Sequence, residues 1–143
     1  MTRIDFYRYA DDKQLYACRL AAKASRSARL VVYAPEREVL DRFDQALWTY
    51  QATGFVPHVR AGSPLAAETP IVLSDSGDNL PHHDVLLNLS GEWPPFFSTF
   101  ERLLEIVAVD EADKELARKR YSFYKERGYD IRVNDIDAGG RKD

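Results

Sequence analysis

The segment Ala28-Arg-Leu-Val-Val-Tyr-Ala34 is a nearly unbroken apolar run. A strand with one wet face alternates apolar and polar residues. A run without alternation is the mark of a strand buried on both faces, as in a parallel sheet covered by helices. Pro70-Ile-Val-Leu-Ser74 and Asp84-Val-Leu-Leu-Asn-Leu-Ser90 read as further strands, separated by a turn rich in Asp, Gly, Asn and Pro. Leu104-Glu-Ile-Val-Ala-Val109 reads as another buried strand, or as helix as far as Glu105. Arg3 to Tyr9 sets Ile4 and Phe6 between polar positions and predicts a first strand, while Tyr129 to Val133 alternates as a final edge strand.

Between these runs the apolar period changes to that of a helix. Asp11 or Asp12 can cap a helix running to about Ser25, with Leu15, Cys18, Ala21, Ala22 and Ala24 on its apolar side. Pro35 opens a second helix to about Thr49, with Val39, Leu40, Phe43, Ala46, Leu47 and Tyr50 as its core stripe. Pro94-Pro95 starts a short helix through Phe96, Phe97, Phe100 and Leu103. Asp110 or Asp113 caps a basic helix that Gly128 ends. Strands alternating with helices predict a three-layer α/β/α fold with a mainly parallel sheet. Residues 1–134 form the single domain, and residues 135–143, with Gly139-Gly140, are expected to be a flexible tail.

A chain of 143 residues can bury a real core, and 45% apolar with 30% charged residues is the composition of a globular protein. The net charge of −3 argues against broad, non-specific nucleic-acid binding. No apolar run approaches the roughly 18 residues of a membrane span, and the start of the chain has no leader pattern. Cys18 has no internal partner and falls in an apolar helical pattern, so a reducing, cytoplasmic location is expected.

Such a sheet invites a nucleotide-binding reading, but its turns oppose one. Tyr9-Ala-Asp-Asp-Lys13 and Tyr33-Ala-Pro-Glu36 contain no glycine, and a phosphate cradle needs close backbone approach at a helix N-terminus. The fold is therefore Rossmann-like without a Gly-rich loop. His82 and His83 are adjacent, so in a strand they would point to opposite faces and not chelate together. There is no Gly-x-Ser-x-Gly elbow, and no paired acids carry a distinctive spacing. No cofactor, metal or catalytic activity of its own is expected.

Two surface features stand out. On a helix, Lys114, Arg118, Tyr121 and Lys125 fall on one face. That stripe is either a solvated face or a receptor for something anionic and partly apolar, such as an acidic peptide with its free carboxylate. Trp48 points away from the core stripe of its helix, alongside Asp41, Asp44 and Gln45, and needs a second surface from this chain or from a partner. Phe55, Val56 and Pro57 are apolar where a loop is expected.

Ala46-Leu-Trp48, Phe55-Val-Pro-His58 and Ala117-Arg-Lys-Arg-Tyr121, in this order and spacing, resemble the chi subunit of bacterial DNA polymerase III. Phe6-Tyr7, Leu86-Leu-Asn-Leu89, Glu105-Ile-Val107, Tyr124 and Gly128 extend the resemblance along nearly the whole chain. The resemblance implies a non-catalytic accessory of the clamp loader, bridging the psi subunit and single-stranded-DNA-binding protein and so reaching DNA indirectly. It implies that Lys114, Arg118 and Tyr121, with Lys125 and either Val107 or Val109, hold that protein's acidic, Pro-Phe-ended tail. It implies that Trp48 and Phe55, with Val56 and Pro57, dock psi or a repair helicase. A monomer with hetero-partners is expected. Competing readings are direct single-stranded DNA binding through the basic helix, and a degenerate nucleotide-binding enzyme.

Overall fold

The computed structural model describes residues 1–50 and 56–136. Among these lie strands β1 (Arg3–Ala10), β2 (Leu30–Tyr33), β3 (His58–Arg60), β4 (Ile71–Ser74), β5 (Val85–Asn88), β6 (Arg102–Ala108) and β7 (Asp130–Asp135), and helices α1 (Lys13–Ala24), α2 (Arg37–Thr49) and α3 (Glu111–Glu126). The strands form one sheet in the order β3-β4-β2-β5-β6-β1-β7. Every neighbouring pair is parallel.

The apolar runs occupy the centre of this sheet. Every residue of β2, β4 and β5 is buried. On one face Leu30, Val32, Ile71, Leu73 and Leu87 pack with Ala17 and Ala21 of α1 and with Leu40, Phe43 and Leu47 of α2. On the other, Ile4, Phe6, Val31, Leu86 and Leu103 pack with Ala117 and Tyr124 of α3 and with Phe97 and Phe100. Helices on both faces of a parallel sheet make the three-layer α/β/α architecture that the sequence pattern predicts.

Local details depart from the sequence reading. Leu15 is 55% exposed, whereas Cys18, Ala21 and Ala22 of the expected apolar side are buried, together with Tyr16, Ala17 and Leu20. Pro35 precedes the N-cap of α2, which is Glu36 in extended conformation. Only Phe97–Thr99 of the expected Pro94–Leu103 helix is helical, as a short 3-10 turn, and Leu103 belongs to β6. His58–Arg60 is an edge strand on β4, too short for alternation to announce it.

The last strand also continues past Val133. Arg8 pairs in register with Asp135, and the Ile136 N–H reaches the Arg8 carbonyl at 2.9 Å. Ile136 is buried in the core beside α1. The compact body thus includes Asp135 and Ile136, which the expected boundary at 134 had placed in the tail. Two aspartates conceal the strand end from a reading by hydrophobic pattern. The remaining tail, 137–143, lies outside the described residues.

Candidate functional site

The basic helix forms because its ends are well sealed. Asp110 is the N-cap, its carboxylate accepting the Asp113 N–H at 3.0 Å. Asp113 itself reaches back to accept the Ala108 N–H at 2.8 Å and pairs with Lys13 at 3.1 Å. At the other end Gly128 has φ 78°. Its N–H bonds to the Lys125 carbonyl at 3.0 Å, and the Tyr129 N–H to that of Tyr124 at 3.2 Å. This is the paired bonding of a Schellman stop, whose left-handed residue glycine supplies at little cost.

One face of α3 looks across the carboxyl-terminal part of β1, β6 and β7. A groove of about 390 Å³ lies between them. Lys114, Arg118 and Tyr121 line it from the helix, Phe6, Arg8 and Tyr9 from β1, Val107 and Ala108 from β6, and Val133 from β7. Its floor is apolar: Phe6 and Val107 are buried, and the Tyr121 ring lies 5.7 Å from that of Phe6. Its rim is cationic. Lys114 meets Glu111 at 3.2 Å and Arg118 meets Glu115 at 2.8 Å, both pairs one turn apart along α3. Such solvent-facing pairs are worth little, so an incoming carboxylate can displace them at small cost.

The structure therefore brings Lys114, Arg118 and Tyr121 together as the sequence suggested. Of the two valines, Val107 lines the groove. Val109 is 45% exposed beyond the end of β6 and is not among the lining residues. Lys125 is not among them either; its ammonium lies over the Tyr121 ring at 5.7 Å. Arg8, Tyr9 and Val133 went unrecognised because they come from strands far away in the chain, which no spacing rule within a helix can find.

Trp48 is 54% exposed, with its ring 5.0 Å from that of His58. His58 is tied to the Val56 carbonyl at 2.6 Å and to Asp44 at 2.7 Å. Pro57 is exposed, whereas Val56 is buried in the core and presents no surface to a partner. Phe55 lies outside the described residues.

The helix N-termini carry the chain's own acids where a phosphate would sit. The Asp12 carboxylate accepts the Leu15 N–H at 3.0 Å, Glu36 and Glu38 stand at the start of α2, and Asp110 caps α3. The crevice lined by Lys13, Gln14, Arg42 and Phe43 holds about 180 Å³. That is small against the roughly 300–1,000 Å³ of common ligand pockets. Among the described residues no three or more of His, Cys, Asp and Glu gather as metal ligands. Among the described residues no helix is long and apolar enough to cross a membrane.

Residues 1–132 match the family model described as DNA polymerase III chi subunit, HolC. The chain belongs to the DNA polymerase III chi subunit family. It is 35% identical to the DNA polymerase III subunit chi of Pseudomonas aeruginosa, across 92% of this chain and 94% of the relative. It is 34% identical to that of Haemophilus influenzae, across 84% and 85%, and 32% identical to that of Escherichia coli, across 80% and 79%. The family places the chain in bacterial DNA replication, among the subunits of the DNA polymerase III complex. Trp48 and all the lining residues of the groove except Val133 lie inside the family match.

Proposed function

We propose that the chain is a non-catalytic, cytoplasmic adaptor of the DNA polymerase III clamp loader. In this reading the α3 groove takes the acidic C-terminal tail of single-stranded-DNA-binding protein, and the Trp48 face docks the psi subunit. The observation that carries the first half is the groove itself, with an apolar floor of Phe6, Val107 and Tyr121 under a rim holding Lys114 and Arg118. An apolar terminal side chain fits such a floor, and its free carboxylate and preceding aspartates fit the rim. An exposed site of this kind binds by complementary charge, so its affinity falls as salt rises.

The test is titration of a fluorescent peptide with the acidic, Pro-Phe-ended sequence against wild type and Arg118→Ala at low and high salt. Salt-sensitive binding that the mutant loses by more than about 1 kcal/mol is expected, as for an interface arginine. Unchanged binding in the mutant would remove Arg118 from the site. Retardation of single-stranded DNA by the isolated protein would instead favour direct DNA binding through α3.

For the second half, Trp48 supports the reading. A half-exposed indole on the acidic side of α2, beside exposed Pro57, is a suitable anchor for an apolar partner surface. Trp48→Ala should abolish co-purification with psi while leaving tail-peptide binding unchanged. Loss of a repair helicase with psi retained would reassign the face to that alternative partner.

A further inference from the structure

The wall of the groove facing α3 is built by an irregularity in β1. Tyr7 pairs with Ile106 and Ala10 with Ala108, so three steps of β1 run against two of β6. The extra residue makes a β-bulge. Within it Tyr9 has φ 71°, a left-handed conformation that a bulky side chain rarely adopts. In an unbroken strand, consecutive side chains leave opposite faces. Phe6, Tyr7 and Arg8 obey this, with Tyr7 packed in the core beneath α1 and α2 and Phe6 and Arg8 on the α3 side. Tyr9 does not: it lines the groove on the same side as Arg8, and Ala10 then returns to the core face of Tyr7. The bulge thus delivers two adjacent side chains to one site, with the Arg8 guanidinium 5.0 Å from the centre of the Tyr9 ring. A strained backbone beside a groove points to function more than to stability, since a regular strand would be easier to fold.

A second relationship concerns charge. The Arg8 Nε donates to Asp135 at 2.8 Å, across the β1–β7 register pair. Both side chains are about half exposed. Asp135 therefore presents to Arg8 the group that an acidic peptide would bring.

We propose that Arg8 and Tyr9 are a second jaw of the peptide groove, and that Asp135 is an internal competitor for its cation. This deepens the groove reading and depends on it. Tyr9 closes over the apolar part of the peptide opposite Tyr121. Arg8 exchanges Asp135 for a peptide carboxylate that Lys114 and Arg118, on the far rim, do not engage. The jaw makes the site selective for peptides whose apolar end follows acidic residues, because two cationic rims face each other across an apolar floor.

The bulge makes a clean test possible. Glycine is at ease at φ 71°, and asparagine tolerates it, so Tyr9→Gly and Tyr9→Asn remove the ring without adding backbone strain. The probe is the fluorescent acidic, Pro-Phe-ended peptide, titrated into the full chain, with Arg118→Ala measured alongside. Each Tyr9 variant is expected to weaken binding by at least about fivefold while its melting temperature stays level or rises. Arg8→Gln is expected to weaken it similarly and to reduce its salt dependence. Asp135→Asn is expected to tighten it. The jaw is overturned if the Tyr9 and Arg8 variants bind within about twofold of wild type while Arg118→Ala has lost binding. Absence of wild-type binding would overturn the groove reading and the jaw together. Weaker binding by Asp135→Asn would overturn the competitor role alone.

Discussion

The Tyr124 hydroxyl donates to Glu105 at 2.6 Å, joining the last part of α3 to the middle of β6 where neither residue reaches solvent. The same carboxylate accepts from the Arg120 Nε at 3.0 Å and the Asn88 Nδ2 at 3.1 Å. Arg120 in turn donates to the Gly91 carbonyl at 2.9 Å. Burial raises the Glu105 carboxyl above its ordinary range, while Arg120, Tyr124 and Asn88 pull it back. A buried carboxylate with these donors holds α3 at a set height and rotation over the sheet. The groove lies on the adjacent side of that helix, so the network sets the position of Lys114, Arg118 and Tyr121 without touching a ligand.

Breaking this pair should cost far more than replacing it. Arg120→Met leaves a buried carboxylate without its cation and is expected to lose about 3–5 kcal/mol of stability. The double variant Arg120→Met/Glu105→Leu should recover a large part of that loss, because two buried charges vanish together. It also removes Arg120 Nη2, which has no hydrogen-bond partner among the described residues. Urea melts of both variants decide the matter. Equal losses would mean that the orphaned Glu105 carboxylate carries no penalty of its own, contrary to this expectation.

The sheet and its layers could be read from sequence because fully apolar runs such as Leu30–Tyr33 and Ile71–Ser74 have few alternative placements. The cationic face of α3 could be read because helix spacing is a local property. The rest of the groove could not. Val107 and Val109 are equally apolar, and only the end of β6 at Ala108 leaves one in the wall and the other outside. Tyr9 gave no signal, because a bulge depends on pairing with a strand nearly a hundred residues away. The pairing of Glu105 with Arg120 carries no sequence signal, because it comes from packing between β6 and α3 that neither period nor composition encodes.

His82 should make stability depend on pH below neutrality. Burial, reinforced by the positive charge of Arg29, lowers its pKa from the ordinary 6.5, and Asp84 offsets this only in part. A lowered folded-state value means that the unfolded chain takes up the proton first as pH falls. The contribution is thus fully present above pH 6.5 and is lost as pH falls below it toward the folded-state value. His82→Leu is expected to flatten the stability profile between about pH 7 and pH 5 relative to wild type. Parallel profiles for the two proteins would contradict this.

Cys18 should be inert in the folded protein. It is 1% exposed, and burial, aided by the negative charge of Asp12, pushes its thiol up to about 11. Only the thiolate attacks alkylating reagents. At mild alkaline pH, modification should therefore be slow in buffer and fast in denaturant, with a rate that follows opening of α1. Rapid labelling of the native protein would show that α1 opens locally far below the global stability.

The cations of α3 should not be equivalent. Lys114 and Arg118 line the groove, whereas Lys125 lies a turn beyond it over the Tyr121 ring. A simple stripe of charge would weight all three alike. The groove geometry instead predicts that Lys114→Ala and Arg118→Ala each weaken the acidic peptide by more than about 1 kcal/mol. Lys125→Ala should change it by less than about 0.5 kcal/mol, as for a rim charge in solvent. Anisotropy titrations at one fixed salt concentration separate the two cases. Should Lys125 prove as costly as Arg118, the peptide would have to run along the helix axis toward Gly128 rather than down into the floor of Phe6 and Val107.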